Sequence, residues 1–147
     1  MDNAQTSMLA TQPDLSPQEN RKVVLCIDDD PGILGALERV LRRGPHRIVT
    51  ASDPEEGLRL ALTLKPNLIL VDMMMPAMTG KELLGKLREQ LGTVQAVLLT
   101  GRNIDDTEAN DPTLAGVHYM RKPFHNKEVR ELVDRLLGNG KQDPPQI

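Results

Sequence analysis

In this 147-residue chain the residues best suited to chemistry stand directly after short apolar runs. Asp28, Asp29 and Asp30 follow residues 22–27, Asp72 follows residues 68–71, Thr100 and Gly101 follow residues 94–99, and Lys122 and Pro123 follow residues 117–121. If Asp28, Asp29 and Asp72 converge, their like charges raise at least one pKa unless a cation sits among them. The donors are all oxygen, with no His or Cys beside them, which favours Mg2+ or Mn2+ over zinc or copper. Magnesium keeps several waters and so leaves coordination positions for a phosphoryl oxygen. A carboxylate, a divalent metal, a hydroxyl donor and a lysine around one point are the parts for phosphoryl transfer to an aspartate. Asp72 is the best nucleophile, being the lone acid on its loop.

Plainer roles stand beside these. Asp30 before Pro31 reads as a helix cap, Thr100 could cap the turn that follows it, and Lys122 could be a surface lysine. Met73, Met74, Met75 and Met78 read as loop packing, because no soft-metal partner accompanies them. His46, His118 and His125 lack ligand spacing, and Arg39, Arg42, Arg43 and Arg47 read as a solvated basic face.

The elements that must position these residues follow from the hydrophobic period. Short apolar runs at residues 22–27, 47–51, 68–71, 94–99 and 117–121 alternate with segments of helical period. Asp30-Pro31 and Asp53-Pro54 open two helices, which Gly44 and Pro66 close. Thr79 and Glu82 have capping-box spacing ahead of a third helix that stops at Gly92. The last helix starts near Asn126 and ends before Gly138. Strands separated by helices predict a parallel sheet covered on both faces, because each parallel crossover is long and right-handed. The first, third and fourth strands are almost purely apolar, whereas the second and fifth hold Arg47, Thr50, His118 and Arg121. Those two belong at the edges. The predicted fold is therefore α/β, a flavodoxin-like doubly wound (βα)5 arrangement in the order 2-1-3-4-5. That order brings the polar strand ends to one pocket, at the switch point between strands one and three.

Composition narrows the function classes. A net charge of −3 offers phosphate backbones no general attraction, and two aromatic residues, Tyr119 and Phe124, make no base-stacking platform. Direct nucleic-acid binding is disfavoured. No apolar run approaches the roughly 20 residues of a membrane-spanning helix. The lone Cys26 excludes an internal disulfide, and residues 1–20 carry Asp2, Asp14 and Glu19 with no Lys or Arg, the reverse of an export leader. A cytoplasmic location is the expectation. Residues 1–20 and 138–147 read as disordered tails around a domain at residues 21–137, which holds 17 charges of each sign.

The stretches Val24-Leu-Cys-Ile-Asp28-Asp29-Asp30-Pro31, Pro66-Asn-Leu-Ile-Leu-Val-Asp72-Met-Met-Met-Pro76-Ala-Met-Thr-Gly80, Val97-Leu-Leu-Thr100-Gly101 and Tyr119-Met-Arg-Lys122-Pro123-Phe124 resemble the receiver domain of two-component response regulators. The resemblance covers residues 21–137, and a receiver-only type is the expectation, because the chain stops ten residues after the last helix. It implies that Asp72 accepts a phosphoryl group from a phosphohistidine on a sensor histidine kinase or exchanges it with a histidine phosphotransfer protein. It implies that Asp29, Asp72 and the Met74 carbonyl bind Mg2+, with Asp28 holding a metal-bound water. Thr100 would donate to the phosphoryl group, Lys122 would pair with it, the Lys122-Pro123 bond would be cis, and Tyr119 would turn inward as the threonine moves. The chain would then be a phosphoacceptor rather than an enzyme, acting on an unidentified downstream protein.

One departure stands out: Asp105, Asp106, Glu108, Asn110, Asp111 and Pro112 occupy the place of the family's fourth helix. A short, weakly anchored helix broken at or before Asp111 is the expectation. Two other readings compete with the receiver. An aspartyl phosphohydrolase of the haloacid dehalogenase type would use Asp28 and Asp30 and leave Asp72 and Lys122 idle. A receiver-like interaction module would never be phosphorylated, although the chain holds the full acid, threonine and lysine set.

Overall fold

A computed structural model of the chain describes residues 21–102 and 110–138. The expected tails at residues 1–20 and 139–147, and most of the segment expected to form the weakened helix, lie outside the described residues. Five parallel strands form one sheet in the order β2-β1-β3-β4-β5, as the apolar pattern predicts. They are β1 (Val23–Ile27), β2 (Arg47–Ala51), β3 (Leu68–Asp72), β4 (Ala96–Thr100) and β5 (His118–Arg121). Every residue of β3 and β4 is buried, whereas the edge strands β2 and β5 expose Arg47 and Arg121.

Four α-helices are described: α1 (Pro31–Leu41), α2 (Pro54–Leu64), α3 (Gly80–Leu91) and α4 (Asn126–Leu137). Asp30 and Asp53 cap α1 and α2 by accepting from Gly32 N and Glu55 N. Thr79 and Glu82 form the reciprocal box on α3 at 3.0 and 2.9 Å. One helix end differs from expectation. Helix α1 stops at Leu41 with Arg42 still in right-handed geometry, so Gly44 lies beyond the stop and donates to Leu41 O. Helix α2 ends directly before Pro66 as expected, with its cap residue Lys65 at a left-handed φ of 50°.

Side-chain alternation along the strands divides the core between the two faces. Val24, Cys26, Leu68, Leu70, Val97 and Leu99 meet α1 and α4 on one face. On the other, Leu25, Ile27, Ile69, Val71 and Leu98 meet α2 and α3. The C-terminal end of α4 is held by side chains from the opposite rim of the sheet. Lys22 Nζ donates to Leu137 O, Gln95 Nε2 donates to Leu136 O, and His46 Nε2 hydrogen-bonds Gly138 O. His46 is buried there, in keeping with a structural role.

Between β4 and β5, Asp111 is extended and Pro112–Leu114 forms a single 3-10 turn, so helical geometry is absent at the residue before proline. This part is not weakly anchored. Lys81 pairs with Asp111, Arg88 donates to Thr113 O and Ala115 O at 2.7 and 2.8 Å, and Leu114 is buried. The sequence pattern underestimated the anchoring because α3 supplies it through polar ties, not through an apolar stripe.

Candidate functional site

The carboxyl ends of β1, β3, β4 and β5 deliver the site. Asp28 follows β1 with its N–H bonded to Ala51 O, so the strand ladder runs straight into the first acid. Asp72 is the last residue of β3, and Met73 N continues the ladder to Leu99 O at 2.9 Å. Below that end, Gly80 N donates to Met73 O, and a Cβ at Gly80 would stand 2.5 Å from Asp72 O and 2.8 Å from a Leu98 methyl. Only glycine fits there, which lets α3 start directly beneath the loop that follows Asp72. Lys122 N donates to Thr100 O at 2.7 Å, joining the ends of β4 and β5, and the Lys122-Pro123 peptide is cis.

Carboxylate oxygens of Asp28, Asp29 and Asp72 all lie within 4.8 Å of one another. Asp28 is fully buried, Asp72 is 7% exposed and Asp29 is open to solvent. Lys122 Nζ bridges the two buried acids, 2.9 Å from Asp28 Oδ2 and 3.3 Å from Asp72 Oδ1. Burial, followed by the charge of Asp28, raises the Asp72 pKa above the ordinary carboxylate value despite the opposing pull of Lys122. For Lys122, burial alone would lower the pKa, but the Asp28 hydrogen bond and the charges of Asp28 and Asp72 hold it above the ordinary lysine value. One ammonium thus shares two buried carboxylates while Asp29 stays outside that pairing. The all-oxygen donor set and the excess of acid over base fit a hard divalent cation.

Asp28 is a poor nucleophile here. Its Oδ1 accepts from Asp30 N and its Oδ2 from Lys122, with no exposed surface left for a substrate. Asp72 is less enclosed, and its Oδ1 also accepts from Met74 N at 3.4 Å, which ties the next peptide to the acid. Met74 is 64% exposed beside it, so the packing role expected for the loop methionines holds for Met73 and Met75 but not for Met74.

The structure does not join Thr100 to the acids. Its hydroxyl donates to Arg102 O at 3.0 Å and accepts from Arg102 N at 3.1 Å, the local turn cap that was the plainer expectation for this residue. Tyr119 lies opposite Leu98 in the β4–β5 register, two residues before Arg121, which lies opposite Thr100. The period of two therefore puts Tyr119 and Thr100 on one face of the sheet, where the Tyr119 ring packs against the α2–α3 side of the core. Sequence reasoning missed Lys81 and Arg88, because no motif distinguishes them from other basic residues on an exposed helix face.

A doubly wound parallel sheet with an acidic, lysine-bridged pocket at its carboxyl rim defines the class: a flavodoxin-like α/β protein with its site at the switch point. The response regulator receiver domain family matches residues 24–134, and the chain belongs to it. Receiver domains are phosphoacceptor signalling modules of two-component systems. The chain is 35% identical over 116 residues to the alkaline phosphatase synthesis transcriptional regulatory protein PhoP of Bacillus subtilis, covering 79% of this chain and 48% of that protein. It thus spans about half the length of the curated relatives it matches. Among solved structures, the chemotaxis response regulator CheY4 of Vibrio cholerae aligns at a TM-score of 0.73 and 24% identity, covering 80% of this chain and all of that one. The response regulator TrrA of Thermotoga maritima, solved in complex with Mg2+-BeF, aligns at 0.68 and 29% identity over 79% of this chain and 99% of that one. No helix among the described residues is long and apolar enough to cross a membrane.

Proposed function

We propose that the chain is a phosphoacceptor in a phosphorelay and that Asp72 takes a phosphoryl group from a phosphohistidine of a sensor kinase or phosphotransfer protein. The observation that carries this reading is the trio of carboxylates within 4.8 Å, with one lysine bridging its two buried members. In the transfer an Asp72 carboxylate oxygen forms the new O–P bond, the N–P bond of the phosphohistidine breaks, and its electron pair stays on the imidazole. Asp28, Asp29, Asp72 and the Met74 carbonyl would hold Mg2+, or Mn2+ in its place. When bound, the ion supplies positive charge that offsets the charge spread over the phosphoryl oxygens. Lys122 is already within ion-pair distance of Asp72 and can follow the new negative charge at small cost in motion. For Thr100 to donate to the phosphoryl group, its hydroxyl must first leave Arg102. That exchange is a discrete two-state change beside Tyr119, on the same face of the sheet. The modified state is then read by a downstream protein, or the phosphoryl group is passed onward.

The test is incubation of the full chain with Mg2+ and acetyl phosphate, with mass-spectrometric location of a base-labile phosphoryl group. The expected result is modification at Asp72 that is lost with EDTA and in Asp72→Asn. Modification at Asp28, or turnover of many phosphomonoesters, would identify a hydrolase instead. No modification at all would leave an interaction module. Tyr119→Ala should keep the Asp72 modification and weaken binding of the phosphorylated chain to its downstream protein, measured by pull-down with and without phosphodonor.

A further inference from the structure

A groove of about 240 Å³ lies between α1 and α4, on the side of the fold away from α2 and α3. Ala36 and Val40 contribute its apolar lining; Arg39 and Arg43 from α1 and its following turn, and Asn126 and Arg130 from α4, supply the polar groups. No acidic residue lines it. Arg42, the neighbour of Arg43, pairs with Glu38, whereas Arg39, Arg43 and Arg130 have no carboxylate partner among the described residues. Three guanidinium groups are thus gathered around one concavity without compensation, an arrangement whose mutual repulsion an anionic occupant relieves. The expected solvated basic face is therefore divided, with one arginine paired and two turned to a groove shared with the last helix. Its volume falls below the roughly 300 Å³ at which small-molecule pockets begin, so it suits a few acidic side chains better than a whole nucleotide.

The chain carries a segment of that chemistry. Residues 1–20 hold Asp2, Asp14 and Glu19 with no Lys or Arg, and they join the fold at Arg21. Arg21 is tied to the segment that follows Arg43, since its guanidinium donates to Pro45 O and His46 O. An extended chain covers at most about 3.6 Å per residue, so Glu19 reaches about 7 Å and Asp14 about 25 Å from Arg21. Pro45, whose carbonyl accepts from Arg21, stands two residues after Arg43 and so at most about 7 Å from it along the chain, inside that reach. Leu15, beside Asp14, offers an apolar side chain for the lining formed by Ala36 and Val40. We propose that the groove is the docking site of the chain's own acidic segment, residues 14–19, held in cis through Asp14 and Glu19.

A nitroxide placed through Ser16→Cys tests this in the full chain. Cys26 is fully buried and its burial pushes the thiol pKa up to about 12, so the introduced thiol is the reactive one. Paramagnetic broadening of amide signals should centre on Ala36, Arg39, Val40 and Arg130. It should fall several-fold in Arg39→Ser/Arg43→Ser, in Asp14→Asn/Glu19→Gln, and at about 1 M salt, where the Debye length is about 3 Å. Broadening spread evenly over the surface, or persisting in the arginine variant, would overturn the proposal. So would broadening that appears only when spin-labelled chain is mixed with isotope-labelled, unmodified chain, since the segment would then be docking between copies.

Discussion

Lys122 stands between two buried carboxylates that would otherwise repel each other, and it links the site's stability to its chemistry. Lys122→Ala leaves Asp28 and Asp72 without their shared cation, a loss on the order of 1–3 kcal/mol. The variant should melt lower than wild type in EDTA and gain more from added Mg2+, as scanning calorimetry can measure. Asp72 gives the opposite sign. Its pKa is raised in the folded state, so the folded chain holds that proton more tightly than the unfolded chain does. The group therefore favours folding less as pH rises through the range above its ordinary value of 3.8. Asp72→Asn should be at least as stable as wild type in metal-free buffer at neutral pH, with the advantage shrinking as pH falls toward that value; urea titration across pH reads it. These site residues were legible because each directly follows an apolar strand, and a parallel sheet gathers such positions. The Thr100 hydroxyl was not, because its direction depends on the turn to Arg102, and strand pattern says nothing of that turn.

At the scale of elements, helix starts were more legible than helix ends. Asp30-Pro31, Asp53-Pro54 and Thr79 with Glu82 cap by side chains that sequence displays directly. The end at Arg42 depends on backbone angles that no residue type demands, whereas Pro66 displays the end at Lys65. Helix α3 carries two burdens. Its first residue allows close approach to β3, so Gly80→Ala should displace the carbonyl of Asp72, lower the melting temperature and slow Asp72 modification by acetyl phosphate. Its outer face holds the connection to β5, so Arg88→Ala strips two carbonyls of their partner. Amide exchange over residues 113–117 should quicken in that variant while β3 and β4 keep their protection. Asp111 adds a pH dependence of known sign. The Lys81 hydrogen bond, then that from Thr113 N, holds its pKa below the ordinary value. Its contribution is present above that value and is lost as pH falls through the lowered one. Acid should therefore loosen this connection before it loosens the sheet.

For the molecule as a whole, polar residues along β2 and β5 placed those two strands at the edges, since β3 and β4 are polar only at the terminal Asp72 and Thr100, and the flavodoxin-like order satisfies that placement. The α1–α4 groove was not legible, since Arg130 lies far from Arg39 and Arg43 in sequence and joins them only through helix packing. The same holds for the clasp at the opposite rim, where Lys22 reaches Leu137 O across a sequence separation of 115. That clasp means the polypeptide enters and leaves the fold at one doorway. A fold whose entry and exit meet in this way can be spliced into a surface loop of a host without prising that loop apart. It can also be joined end to end and reopened at an exposed turn such as Gly92. The topology makes the fold a portable cassette, with its acidic pocket at the far side from the splice.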